Sequence, residues 1–264
     1  MTFKDLKKRV SLEATTQQQF RLTERLHNKP FWIWNVEDHK QEDVRTNGNC
    51  CFNHIVGLPQ KDGVDKPLYD YEKIIFDYLV THNGNANSAN KHLWIKKATG
   101  LGISEFILRF MAWLCLRDNA LSGSQMCMVT GPRIELAIAL IQSMKELFKG
   151  NAQLAFDTKE TVIELNGVKI EAFPSHHLDA MRGLQNVSFI LLDEADFSRP
   201  GQQQDARDVS ERYIGKSNPY IVMVSTPNAP EGLFERIEKE SADTCLYKRL
   251  FLDYTYGNRE RQKI

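Results

Sequence analysis

Two spacings of hydrophobic residues alternate along the chain. Apolar runs of strand length fall at Leu93–Lys96, 125–130 (Q-M-C-M-V-T), 187–192 (V-S-F-I-L-L), Tyr220–Ser225 and Cys245–Leu252. Runs of this kind suit strands covered on both faces. Between them the spacing becomes helical. Residues 67–80 form an amphipathic pattern after Pro67, an apolar helix opens near Ser104, and Ile134, Ala137, Ile138, Ile141, Met144 and Phe148 line one face of another. Helices are also expected over 203–214 and Glu231–Glu240, and Asn166-Gly167 predicts a hairpin within 161–173. Strands alternating with helices imply an α/β fold, a mainly parallel central sheet flanked by helices and wound with right-handed crossovers. Ahead of this domain, 3–27 reads as a polar helix, Phe31-Trp32-Ile33-Trp34 as an aromatic knot, and 35–66 as irregular. The expected organisation is an N-terminal appendage over 1–66 and a main domain over 67–264, with 81–91 a polar loop.

Three of the strands end in polar groups, and ligands of parallel α/β sheets bind at the carboxyl ends of strands. The first strand runs into Lys97-Ala98-Thr99-Gly100-Leu101-Gly102-Ile103-Ser104. A strand, a glycine-containing loop and a helix start together form a phosphate cradle, in which loop amides and the helix N-terminus converge. Against G-x-x-x-x-G-K-[ST], Gly102 and Ser104 match, Lys97 replaces the first glycine and Ile103 replaces the lysine. An ordinary strand–turn–helix fits these residues too. The second strand ends in Asp193-Glu194, where Asp193 suits Mg²⁺ and Glu194 suits the general base for water. The third ends in Ser225-Thr226-Pro227-Asn228, placed to sense a γ-phosphate. Arg182 precedes the acidic strand, and its guanidinium is either a candidate for stabilising a transferring phosphoryl group or a surface arginine at a turn.

Composition narrows the classes. Thirty-four basic residues balance thirty-four acidic ones, so overall charge makes no case for nucleic acid and any contact with it must be local. The N-terminus lacks the apolar core of a secretory signal, and the longest greasy stretch, Phe106 to Leu116, is broken by Arg109 and too short to span a bilayer. Five cysteines without a C-x-x-C pair suit reduced thiols in the cytoplasm.

Taken together, K-A-T-G-L-G-I-S at 97–104, G-P-R at 131–133, M-R-G-L-Q-N at 181–186, F-I-L-L-D-E-A-D-F at 189–197 and S-T-P-N at 225–228 resemble the ATPase domain of viral large terminase subunits. Some members of that family carry a deviant Walker A with the lysine at the start of the loop, as Lys97 stands here. The resemblance covers roughly 67–255. It implies a RecA-like ASCE P-loop NTPase that binds ATP and Mg²⁺ and couples hydrolysis to translocation of double-stranded DNA. Lys97, Glu194 and Arg182 would be catalytic. The loop 97–104 would hold the nucleotide, Ser104 and Asp193 the metal, and Ser225–Asn228 would couple hydrolysis to movement. Tyr71 and Glu72 fall where an adenine-contacting motif is expected, with Glu72 in place of the usual glutamine. Implied partners are duplex DNA, further copies in a homo-oligomeric ring, a portal protein and a small terminase subunit, in the host cytoplasm and away from membrane. No nuclease activity is expected within these residues, since Asp253 alone makes no two-metal carboxylate site.

Two other readings compete. D-E-A-D at 193–196 and P-R-I-E-L-A at 132–137 resemble DEAD-box helicases, which use the loop lysine that Ile103 replaces and a second RecA-like domain. A catalytically inactive nucleotide-binding module is the other, and the presence of both Asp193 and Glu194 weighs against it.

Overall fold

The apolar runs become strands because each fills nearly every position with residues that water would otherwise surround. In a computed structural model, residues 60–61, 64–65, 69–79, 91–116, 119–147, 159–228 and 230–256 are described. Strands β1 (Gln60–Lys61) and β2 (Val64–Asp65) pair antiparallel. This corrects the expectation of irregular chain there, since two-residue strands are too short to carry a period. Helix α1 (Asp70–Leu79) is followed by β3 (His92–Lys97), α2 (Ile103–Leu116), β4 (Gln125–Thr130) and α3 (Ile134–Glu146). The hairpin strands β5 (Val162–Leu165) and β6 (Val168–Pro174) come next. Then follow the short helix α4 (Leu178–Met181), β7 (Val187–Asp193), α5 (Pro200–Glu211), β8 (Tyr220–Ser225), α6 (Leu233–Lys239) and β9 (Lys248–Leu252). The helix 3–27, the aromatic knot and nearly all of the expected appendage and the 81–91 loop lie outside the described residues.

Seven strands form one sheet in the order β5-β6-β4-β7-β8-β3-β9. The ladders β4–β7, β7–β8, β8–β3 and β3–β9 are parallel. This is a RecA-like α/β architecture, a mainly parallel sheet flanked by helices. Helix α5 starts three residues earlier than its pattern suggested, because Pro200 at its first turn is pre-set for helical φ. It ends at Glu211 in a run of turns. Among the described residues no helix is long and apolar enough to cross a membrane.

By contacts the chain divides into two compact units. Of the described residues, the larger includes 69–79, 91–106, 124–140, 171–228 and 230–256, and the smaller includes 60–61, 64–65, 107–116, 119–123, 141–147 and 159–170. In the larger unit Trp94, Cys127, Val187, Ile190, Ile221, Met223 and Ile237 are almost fully buried in one cluster. In the smaller unit the hairpin turn Asn166-Gly167 has φ of 49° and 74°, the left-handed pair a two-residue turn requires. Asn166 Nδ2 donates to Cys115 O at 2.9 Å, and Gly123 N donates to Gly167 O at 2.9 Å. A Cβ on Gly167 would come within 2.6 Å of Ser122 Oγ. Gly167→Ala should therefore destabilise the protein by about 1–2 kcal/mol, through positive φ and this contact, as read from urea unfolding midpoints.

Candidate active site

Strand register brings the polar strand ends together. β8 lies between β3 and β7, with Lys96 opposite Ser225 and Val224 opposite Asp193. Lys97 at the end of β3 and Thr226 just after β8 therefore lie at one level, Asp193 ends β7 two positions earlier, and Lys97 and Glu194 flank the end of β8. Two strand spacings are about 10 Å, a gap that the stems of a lysine and a glutamate together bridge. Lys97 Nζ lies 2.7 Å from Glu194 Oε1 and 3.4 Å from Thr226 Oγ1, with only 8% of the lysine side chain exposed.

After Lys97 the chain turns through Gly100 (φ 82°) and Gly102 (φ 69°) into α2. No atom lies within 4 Å of a Cβ built on either glycine, so backbone conformation rather than crowding demands glycine. Leu101 and Ile103 are buried and anchor the loop by their side chains. Ala98 departs from the expected cradle. Its N–H donates to Leu252 O at 2.7 Å, so that amide extends the β3–β9 ladder and the cradle begins at Thr99. Tyr71 Oη donates to Leu101 O at 2.7 Å and so braces the loop. Glu72 is buried, and its Oε2 accepts from Tyr69 N at 2.8 Å, which caps the start of α1.

Ser104, on the first turn of α2, donates to Asp193 Oδ1 at 2.6 Å. Among the described residues no group of three or more His, Cys, Asp or Glu is arranged to hold a metal. Ser104 and Asp193 fit the lighter demand of Mg²⁺, which takes one or two protein oxygens together with substrate phosphates. Burial pushes the Asp193 carboxyl up to about 6, and the nearby Glu194 charge adds to this, while the Ser104 hydroxyl and the Lys97 ammonium oppose it.

Glu194 adopts φ 48°, ψ 46°, a left-handed conformation costly for a non-glycine residue. Its Oε2 accepts from Thr226 N at 3.3 Å and lies 3.3 Å from Ser225 Oγ. The next turn, Ala195–Phe197, is 3-10. There the buried Asp196 accepts from Asn228 N through Oδ2 at 2.6 Å, and its own N donates to Ser225 Oγ at 3.2 Å. The segment Ser225–Asn228 is thus held by Glu194 and Asp196 together. Asp196 is absent from the expected site, although its place three residues after Asp193 was a signal for it.

Arg182 is not drawn into this cluster. It is nearly half exposed, and among the described residues its ion pair is with Asp179 of the preceding short helix, at 3.1 Å. The segment bearing it is fixed by Tyr213, whose Oη donates to Met181 O at 2.5 Å and lies 3.2 Å from Leu184 O. A tyrosine 29 residues downstream of Leu184 leaves no local signal of that role.

The fold is that of P-loop ATPases. No protein-family model matches the chain, and no curated protein does. Solved structures do match. The large terminase ATPase domain of Thermus phage P74-26 is similar at TM-score 0.54 and 14% identity, over 80% of this chain and 88% of that one. The HK97 bacteriophage large terminase is similar at TM-score 0.56 and 14% identity, over 77% of this chain and 43% of its own. The large terminase of a thermophilic bacteriophage is similar at TM-score 0.54 and 11% identity, over 75% and 51% respectively. The chain has the fold of phage large terminase ATPase domains.

The raised Asp193 pKa carries a sign for stability. A carboxyl that holds its proton more tightly when folded favours the folded state below its unfolded pKa, near 3.9, and that contribution is lost as pH rises through about 6. In the absence of metal, Asp193→Asn should raise stability at pH 8 by up to ~3 kcal/mol and leave it nearly unchanged near pH 3, measured by chemical denaturation at both values.

Proposed function

We propose that this protein hydrolyses ATP in a Mg²⁺-dependent reaction, as the ATPase of a DNA-packaging motor acting on double-stranded DNA. The observation that carries this is the convergence of Lys97, Ser104, Asp193, Glu194 and Thr226 beneath a loop with two left-handed glycines. The likeness to phage large terminases supports the coupling to DNA.

The residues divide the work as follows. Amides from Thr99 to Ser104 and the N-terminus of α2 bind phosphate oxygens. Ser104 and Asp193 would hold Mg²⁺, which would supply positive charge to neutralise the phosphates. Lys97 exchanges its ion pair with Glu194 for the phosphates, and the freed Glu194 carboxylate accepts the proton of the attacking water. Thr226, within reach of Lys97 and bonded through its N–H to Glu194, feels that exchange directly. Arg182 is the candidate for stabilising the transferring phosphoryl group, from its own subunit or a neighbour's in a homo-oligomeric ring. Such a ring would assemble on a portal protein with a small terminase subunit.

Phosphate release measured with and without duplex DNA tests this reading. Glu194→Gln should lower kcat by about 10²–10⁴-fold. Lys97→Ala should lower it by about 10²–10³-fold, whereas Lys96→Ala, on the opposite face of β3, should cost about tenfold at most. Duplex should stimulate turnover more than single strands. No turnover at concentrations that permit a ring, or equal mild effects at both lysines, would overturn the assignment.

A further inference from the structure

Helix α5 opens with the polar stretch P-G-Q-Q-Q. Its second glutamine is nevertheless 4% exposed. Gln203 Nε2 donates to the carbonyls of Ser198 (2.8 Å) and Asp196 (3.1 Å), and its Oε1 accepts from the backbone N–H of Leu233 (3.0 Å). A primary amide supplies two donors and an acceptor in one plane, and all three roles are used here. The carbonyls belong to the turn that follows Glu194. The Leu233 N–H is the first of α6, one of the donors a helix leaves without an internal partner.

Resting on the ATPase reading above, we propose that Gln203 is a positioning residue that transmits the state of the phosphate site to helix α6. One end of its amide holds the turn that sets Glu194, and the other holds the start of α6. Helix α6 then returns to the site through Glu238, paired at 2.7 Å with Lys96, the residue before Lys97 on β3. Its far end is tied back to α5 by Arg207, whose Nη1 lies 2.5 Å from Glu240 Oε1. The Lys97–Glu194 pair and α6 are therefore parts of one closed circuit, with Gln203 its link between Glu194 and the helix. A groove of about 290 Å³ is lined by Lys96, Asp196, Asn228, Phe234 and Glu238 among others, so residues of the strand ends and of α6 face one space. Phe234 of α6 packs on the fully buried Trp94 with ring centroids 4.4 Å apart, so Trp94 is a native reporter of the helix.

The test uses the full chain with Trp32, Trp34 and Trp113 replaced by phenylalanine, leaving Trp94 as the only tryptophan. ATP and Mg²⁺ are titrated while emission is recorded. Affinity is measured by calorimetry and turnover by phosphate release. With Gln203 present, emission should change on ATP binding. Gln203→Leu should keep ATP affinity and KM within about threefold, lose the emission change, and lower kcat by about tenfold or more. Gln203→Glu keeps the side chain's length and removes both donors. It should show the same losses and carries the test if the leucine variant does not fold. A retained emission change with near-normal kcat in either folded variant overturns the proposal. Failure of the Gln203 parent to bind ATP is a separate outcome, and it overturns the ATPase reading together with this inference.

Discussion

Parallel pairing of β8 with both β3 and β7 is the constraint on which the site depends. Side chains alternate faces along a strand, so a slip of one residue in either ladder would carry Lys97 or Asp193 to the opposite face. Burial guards against such a slip. Leu93, Trp94 and Ile95 on β3, Phe189 to Leu192 on β7, and Ile221 to Val224 on β8 are all essentially removed from water. The apolar interior thus sets the register, and the register sets the distances among the polar residues at the rim.

That rim gathers features a stable protein ordinarily avoids. A lysine is almost covered, an aspartate is buried among opposing charges, and a glutamate holds a left-handed backbone. Each persists because neighbours over-determine it. Lys97 is answered by Glu194, and Asp193 by Ser104. The Glu194 backbone is followed at once by a turn pinned through Asp196 to Asn228. Removing one partner of such a pair leaves a buried charge alone, which costs more than the pair itself contributes. These costs are concentrated at one place, the ends of β3, β7 and β8.

Much of this was legible from residue order. The five parallel strands could be read because buried strands are apolar without interruption, and Asp193, Glu194 and Ser225 to Asn228 stood out as polar residues directly after such runs. Lys97, Ser104 and the two loop glycines were legible from the strand–loop–helix context despite the departure from the usual lysine position. What stayed hidden depends on partners remote in sequence. Ala98 gave no sign that its amide belonged to a ladder with Leu252, and Glu72 none that its carboxylate closes its own helix. Gln203 lies in a run of three glutamines whose composition argues for solvent. Its burial follows from orphan groups on the turn at Asp196 to Ser198 and at the start of α6, which no local pattern announces. Arg182 was singled out by its residue type, whereas its position follows from Tyr213, a contact between distant segments.

The bond from Ala98 to Leu252 has a consequence for how the protein comes into being. β3 is flanked by β8 and β9, both made more than 120 residues after it. The first rung of the loop after β3 therefore has no partner until the chain has been synthesised beyond residue 252. Contacts of such long range form late, because loop closure must precede them. The nascent chain accordingly passes most of its synthesis with the loop after β3 unanchored, and the polar cluster at the strand ends is completed near the end of folding rather than growing along with the chain.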